Sequence, residues 1–207
     1  MKKLLYSFGI ALFVLAVAGS ASEGQEVRSL ADKLLRIHVI ADSDCEEAQS
    51  EKLAARDAVI GYLEKRLKEA GAGSKQEVMT LLSMESERIS RLVLESIDRE
   101  DEPGYVDISI ETAYANRREY DGFTLPAGEY DCLCIRLGDA KGKNWWCVLY
   151  PSLCISGSSR LEDIKVLTDE ELAIICEPEE FKYKIFCFEL FERIKAFFKG
   201  SQRLTQG

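Results

Sequence analysis

The spacing of hydrophobic positions changes twice along the chain. The run "LLRIHVIA" from Leu34 to Ala41 is apolar and rich in β-branched residues, which predicts a strand. Apolar residues then recur three and four positions apart through 44–71 and 74–97, which predicts two amphipathic helices joined by the turn "EAGAGS". Beyond Pro103 the pattern alternates, which predicts strands over 105–114, 129–138 and 144–150.

S/T/D-x-x-E motifs indicate helix starts. The first side chain accepts a hydrogen bond from the backbone amide of the glutamate, and the glutamate side chain accepts one from the backbone amide of the first residue. The first predicted helix has two possible registers, beginning at Ser43 or Asp44. The second has one, at Ser74. A further motif at Thr168 predicts a short helix through Ile175.

The C-terminal segment predicts an amphipathic helix from Phe186 onward, with Leu190, Ile194 and Phe197 on its apolar face. Such a face usually packs on the protein's own sheet, which is our prediction, and a membrane surface is the alternative. The expected fold is α+β: an antiparallel sheet packed with a long helical hairpin and this C-terminal helix.

The N-terminus has the composition of an export signal. Two lysines precede the uncharged stretch Leu4–Ser22, which ends in small residues. We predict a signal peptide over 1–21; an uncleaved anchor is the alternative, because about 19 apolar residues just span a bilayer. The prediction continues with a linker or short helical lead-in at 22–33, a single α+β domain at 34–199 and a flexible tail at 200–207.

Charge and cysteine content limit the partners. The formal net charge of −9 argues against binding nucleic acid or anionic lipid by charge alone. Seven cysteines in an exported chain suggest disulfides with one thiol left over, but no C-x-x-C occurs. With only one histidine in the chain, we expect no metal site and no cofactor.

Candidate chemistry around the first strand is weak. His38 lies near Asp42 and Ser43, but Ser43 lacks the G-x-S-x-G turn of a nucleophile and is better explained as a helix cap. The acidic residues that follow lack the glycine and the late glutamate of a calcium loop. A secreted cysteine-dependent hydrolase using His38 and a cysteine remains the alternative function.

The segment "KGKNWWCVLYPSLC" (141–154) contains both tryptophans. The short gap "DAKGK" predicts a hairpin between the strands at 129–138 and 144–150, which would place Cys134 opposite Cys147. Cys154 is the rival partner for Cys147, because Pro151 could turn the chain back. Trp145 and Trp146 must face opposite sides of their strand, so we expect one in the core and the other either exposed or under the C-terminal segment.

These stretches together resemble a known family. The segments "LLRIHVIADSD", "KLAARDAVIGYL" and "TLPAGEYDCLCIRLGDAKGKNWWCVLYPSLC" are similar to stage II sporulation protein R of endospore-forming bacteria, from about Leu34 to Cys154. Asp42 stands where the family usually has asparagine, and "GDAKGKN" where it usually has "GEGKGKN". The matching positions of the first motif are Arg36, His38, Ala41, Ser43 and Asp44.

The resemblance implies a signalling protein rather than an enzyme. Members are made in the forespore, exported into the space between forespore and mother cell, and needed there to activate a membrane-embedded aspartic peptidase that processes pro-sigma-E. We expect no nucleic acid partner. We expect contact with a membrane only through the leader or, as an alternative, through the C-terminal helix. Our hypothesis for the partner-binding surface comprises Trp145 or Trp146 with Lys141, Lys143, Leu125, Pro126 and Tyr130.

Overall fold

The structure is a computed structural model that describes residues 25–120, 122–151, 166–186 and 188–193. These residues divide into two compact units, which we describe separately. The sheet unit comprises 33–113, 130–151 and 166. The terminal unit comprises the remaining described residues of the two ends and of the segment 114–129.

The sheet unit contains a four-stranded mixed sheet and a helical hairpin, so the predicted α+β class is confirmed. The strands lie in the order β2-β5-β1-β6. Their bounds, with those of the two helices, are β1 Leu35–Ile40, α2 Glu46–Ala70, α3 Lys75–Ser96, β2 Val106–Ala115, β5 Gly128–Leu137 and β6 Asn144–Tyr150.

Strand β1 is the centre of the sheet and explains its arrangement. It pairs in parallel with β5 and antiparallel with β6. Five of its six residues are buried, as expected for a strand that has a neighbour on each side and covered faces. The predicted β5–β6 hairpin is therefore wrong: β1 lies between the two strands, and the loop 138–143 crosses the end of β1 to connect them.

The helical hairpin matches the hydrophobic pattern, with one correction at its start. Helix α2 begins at Glu46, and its cap is the Cys45 side chain, which accepts a hydrogen bond from the Ala48 amide. Neither Ser43 nor Asp44 is the cap residue; both lie in the segment that the loop 138–143 contacts. The capping box predicted at Ser74 is confirmed.

The terminal unit gathers short elements. Helix α1, Gln25–Lys33, occupies the stretch predicted as a linker or helical lead-in, and its apolar residues are buried. A two-stranded sheet joins β3, Arg118–Tyr120, to β4, Phe123–Leu125. Helix α4, Asp169–Cys176, carries the capping box predicted at Thr168, and its Glu171 also accepts a 2.9 Å hydrogen bond from Ser29 of α1.

The C-terminal segment is helical over 182–186 and 188–193, and it packs with a different face than predicted. Ile185 and Phe188 are buried, whereas Phe186 and Leu190, which the pattern assigns to the packed face, are exposed. Phe188 lies so close to Gly128 that a β-carbon there would meet its ring at 2.8 Å. The other two residues assigned to that face, Ile194 and Phe197, lie outside the described residues.

None of the helices within the described ranges is long and apolar enough to cross a membrane. The predicted signal peptide at 1–21 and the predicted tail at 200–207 lie outside those ranges.

Candidate functional site

The two sequence motifs meet at the end of β1. Backbone amides of the loop 138–143 donate to the segment 41–44: Lys141 N to the Asp42 carbonyl and Gly142 N to the Ala41 carbonyl, both at 2.9 Å. Aspartate side chains complete the contact: Asp42 Oδ1 accepts from the Asp139 amide and Asp44 Oδ1 from the Lys143 amide, each at 2.7 Å. We call this contact the motif clamp.

Glycines permit the close approach in the motif clamp. A β-carbon at Gly142 would lie 2.2 Å from the Ser43 carbonyl oxygen, and one at Gly138 would lie 2.1 Å from Asp42 Oδ1. Gly138 also has φ +53°, in the left-handed region that favours glycine. An asparagine at position 42 would offer the same Oδ1 acceptor as Asp42.

A stack of rings and a buried cation occupies one face of the sheet, which we call the stacked face. The His38 ring lies parallel to Trp146, with centroids 3.7 Å apart and an interplanar angle of 12°. The guanidinium of Arg36 lies 4.9 Å from the ring centroids of both Trp146 and Tyr130. Arg36 is fully buried, so these contacts hold a charge inside the fold and fix the rings around it.

Two cysteines border His38 on the stacked face. Cys134 Sγ lies 3.8 Å from His38 Nδ1 and 3.2 Å from Cys132 Sγ. The hydrogen bond with Cys132, together with burial, raises the pKa of Cys134 well above its usual range. A nucleophilic cysteine requires the thiolate and access for a substrate. The thiol of Cys134 is buried, and its raised pKa disfavours the thiolate.

Of the two partners predicted for a disulfide at Cys147, the structure excludes Cys134. Cys147 is disulfide-bonded in the structure, whereas the thiols of Cys45, Cys132 and Cys134 are not oxidised to disulfides. Cys134 and Cys147 are separated because β1 lies between their strands. They also lie on opposite faces of the sheet, since Cys147 pairs with Ile37 whereas Cys134 pairs with His38. The rival partner Cys154 lies outside the described residues.

Trp145 is the partly exposed member of the tryptophan pair. It faces the side of the sheet that carries the helical hairpin, which we call the helix face, and the guanidinium of Arg56 on α2 lies 5.5 Å from its ring centroid. Lys143, two residues earlier, is exposed, and its carbonyl accepts from Nζ of Lys52 at 3.3 Å. We call the half-buried Trp145 and Arg56, together with the exposed Lys141 and Lys143, the indole surface.

The other residues predicted to bind a partner differ in exposure. Lys141 is exposed and pairs with Asp139 at 2.7 Å, beside the motif clamp. Leu125, Pro126 and Tyr130 are buried, so a partner cannot contact their side chains in this conformation.

Sequence reasoning missed Lys52 and Arg56, although the pattern of α2 contained a signal. Lys52 is buried at the position where the apolar spacing of Ala48, Ala55 and Val59 calls for a hydrophobic residue. Desolvation lowers its pKa, and the nearby Arg56 and Lys143 act in the same direction. A lysine at a core position in an amphipathic helix thus indicated a polar contact, here the Lys143 carbonyl.

No group of three or more metal-ligating side chains that could hold an ion occurs in the part of the chain that the structure describes.

Comparison with known proteins decides the family. The family model for stage II sporulation protein R matches residues 31–160, more than half of the chain. The chain belongs to the stage II sporulation protein R family. A stage II sporulation protein R from Bacillus subtilis (strain 168) is 30% identical over 150 residues, which cover 72% of this chain and 66% of that protein. The match thus spans slightly less than two thirds of the relative.

No solved structure matches this chain. Residues 31–160 of this chain, which carry the family match, include both sides of the motif clamp, the stacked face and the indole surface.

Proposed function

We propose that this chain is an exported signalling protein that activates the membrane-embedded aspartic peptidase responsible for processing pro-sigma-E in the mother cell. Family membership supports a role in sporulation. The uncharged stretch Leu4–Ser22 after two lysines supports export from the forespore into the intermembrane space. A disulfide at Cys147 agrees with that compartment, because disulfides persist mainly outside the cytoplasm.

The observation that carries the proposal is that the two tryptophans differ in burial. Trp146 is buried against His38, whereas Trp145 is partly exposed on a strand whose start is held by the motif clamp. An exposed indole on a rigid element binds a partner with little loss of conformational entropy. Tryptophan and arginine are the residues most often found at binding hot spots, and Trp145 and Arg56 lie together here.

Activation requires that the ligand bind one state of the peptidase better than another, since a ligand with equal affinity for both shifts nothing. The indole surface, with Lys143 and Arg56 at its edge, contacts the extracytoplasmic face of the peptidase and favours its active dimer. The buried residues of the stacked face hold this surface in place without touching the partner.

The test is Trp145→Ala in a sporulating strain, with pro-sigma-E and sigma-E measured by immunoblot. Loss of a central tryptophan at an interface weakens binding by about 2 kcal/mol or more, roughly 30-fold, so processing should fall to near the level of a deletion strain. Met84→Ala, at the most exposed apolar residue of the sheet unit, is the matched control and should process normally. Normal processing with Trp145→Ala, at wild-type protein level, would reject the proposal.

The alternative function, a secreted cysteine-dependent hydrolase, has one contact in its favour, that between Cys134 and His38. The substitution Cys134→Ala separates the two functions. A signalling protein that uses the indole surface keeps its activity in this variant, whereas a hydrolase that uses Cys134 loses it. The amount of folded protein must be matched in both strains.

A further inference from the structure

Strand β2 forms one edge of the four-stranded sheet. In the part of the chain that the structure describes, it has a neighbouring strand, β5, on one side only. An edge strand presents a row of backbone amides and carbonyls to any further strand, and proteins often block such edges with proline or lysine. The β2 sequence, VDISIETAYA, contains neither. Its residues 106–113, which belong to the sheet unit, therefore offer a template for strand addition.

A groove lies beside this strand, between β2 and α3. It has a volume of about 280 Å³, and six residues line it: Leu82, Ser83, Ser86, Ile108, Ser109 and Ile110. We call it the edge groove. Ile108 and Ile110 are only half-buried there, on the side of α3. A strand paired with β2 would direct every second side chain to this side of the sheet, so apolar residues at alternate positions would fit the edge groove.

The other face of β2 is acidic. Asp107 and Glu111 are exposed, and both pair with Arg136 of β5, so that two carboxylates share one cation. The Ser109 hydroxyl, between them in sequence, accepts a 2.8 Å hydrogen bond from the same arginine. The intermediate positions of an added strand would therefore lie beside an excess of negative charge.

The segment that leads into β2 adds to this excess. It contains four exposed carboxylates, Asp98, Glu100, Asp101 and Glu102. Its one cation, Arg99, already contacts two carboxylates, those of Glu51 and Glu102. The charges of α3 do not reverse the balance. The exposed Glu87 and Arg91 add one charge of each sign, and Lys75 at the start of the helix pairs with Asp131.

We propose that β2 and the edge groove bind an extended segment of a partner protein in which apolar residues alternate with lysine or arginine. The backbone of that segment pairs with β2, its apolar side chains enter the edge groove, and its basic side chains lie beside Asp107 and Glu111. Strand addition of this kind takes affinity from main-chain hydrogen bonds and specificity from pockets for alternate side chains. The inference requires neither the peptidase nor the indole surface.

A second copy of the chain fits this edge less well than a basic segment does. In antiparallel pairing of β2 with itself, the register that sets Ile108 against Ile110 also sets Asp107 against Glu111, at two places related by symmetry. Like charges directly opposite each other destabilise a strand pair.

The test measures binding of a short synthetic peptide in which lysine alternates with valine. The peptide carries a fluorescent label, and its anisotropy is followed as the full chain is added. We expect saturable binding. The same peptide N-methylated at every amide keeps its charge but cannot pair as a strand, and it should bind at least about tenfold more weakly. A peptide with glutamate in place of lysine should also bind at least about tenfold more weakly.

A pair of variants tests the location. Ser83→Arg places a long cationic side chain in the edge groove, and Ser83 is exposed, so the fold should tolerate it. Met84→Arg is the matched control, because it adds the same charge at the next residue of α3, which is 79% exposed and does not line the groove. We expect Ser83→Arg to weaken binding of the lysine peptide at least about fivefold and Met84→Arg to change it by less than about twofold. Circular dichroism verifies that both variants are folded.

Four results would overturn the inference. Absence of saturable binding would mean that the edge does not take such a segment. Equal binding of the N-methylated peptide would mean that charge alone attracts it, and equal binding of the glutamate peptide would remove the role of the carboxylates. Sedimentation of the full chain as a dimer that Ser83→Arg dissociates would assign the edge to a second copy instead.

Equal effects of Ser83→Arg and Met84→Arg would likewise contradict the assignment, because binding would then not use the edge groove.

Discussion

The two faces of the sheet differ most clearly at the tryptophan pair. On the stacked face, Trp146 is buried against His38 and beside the charge of Arg36. On the helix face, its neighbour Trp145 is partly exposed beside Arg56. The residues are adjacent in β6, and the alternation of side chains along a strand accounts for the separation.

The difference shows how one short motif can support both folding and recognition. Trp146 contributes apolar burial and ring stacking, which stabilise the strand from inside. Trp145 is half-buried and contacts Arg56, and the strand that Trp146 secures holds it in a fixed orientation. Substitutions on the stacked face should therefore reduce stability, and those on the indole surface should reduce activity.

The largest expected effect on stability is that of Trp146→Ala. Removing a buried aromatic side chain with its stacking partners should lower the free energy of unfolding by about 3–5 kcal/mol. Urea unfolding followed by circular dichroism measures the change. Trp146→Phe, which keeps a ring next to His38, should cost clearly less. A loss below about 1 kcal/mol for the alanine variant would contradict the assignment of Trp146 to the core.

The second-largest loss of stability is expected from a substitution in the motif clamp. Gly142→Ala forces a β-carbon against the Ser43 carbonyl and should lower the free energy of unfolding by about 1–3 kcal/mol. Gly61→Ala is the matched control, because no atom lies within 4 Å of a β-carbon there and the residue is inside α2. That control should stabilise the protein by up to about 1 kcal/mol. Equal effects of the two substitutions would mean that the loop does not contact the 41–44 segment closely.

A substitution in the same loop should act in the opposite direction. Ala140 has φ +52°, a left-handed conformation that strains residues with a β-carbon. Ala140→Gly should therefore raise the thermal midpoint, with a gain of up to about 1 kcal/mol after the extra entropy of the unfolded glycine is subtracted. A lower thermal midpoint would show that Ala140 is not strained.

The smallest effect on stability is expected from a substitution of Asp131, on the helix face. Burial opposes ionisation there, but hydrogen bonds from Lys75 and Thr112 lower the pKa of Asp131 below its ordinary value. A carboxylate with a lowered pKa stabilises the fold above its unfolded pKa of about 3.9 and loses this contribution as the pH falls through the folded value.

Asp131→Asn tests this contact by removing the charge. It should cost about 0–1 kcal/mol at pH 7, because the pair is partly solvated. The difference from wild type should shrink at pH 3 in urea unfolding. A difference that persists at pH 3 would assign the effect to packing rather than charge.

More of the fold than of the candidate site could be predicted from the sequence. Periodicity is a local property, and it located β1, β5, β6 and both long helices. Strand pairing is not local, so the short loop 138–143 predicted a hairpin although β1 lies between the two strands. The contact of Cys134 with His38 follows from that pairing and could not be derived from the spacing of 96 residues between them.

The candidate site shows the same limit. Alternation required that the tryptophans face opposite ways, but which one is buried depends on the register of β6 against β1, where Trp146 pairs with His38. The burial of Leu125, Pro126 and Tyr130 could not be read from a polar, glycine-containing stretch. Their place in the hypothesis came from their position in the family motif alone.

The most direct test is the affinity of purified chain variants for the detergent-solubilised peptidase, measured at matched amounts of folded protein. We predict that Trp145→Ala weakens binding roughly 30-fold or more while its free energy of unfolding changes by less than about 1 kcal/mol. Unchanged affinity for this stable, folded variant would contradict the claim that the partly exposed indole of Trp145 recognises the partner.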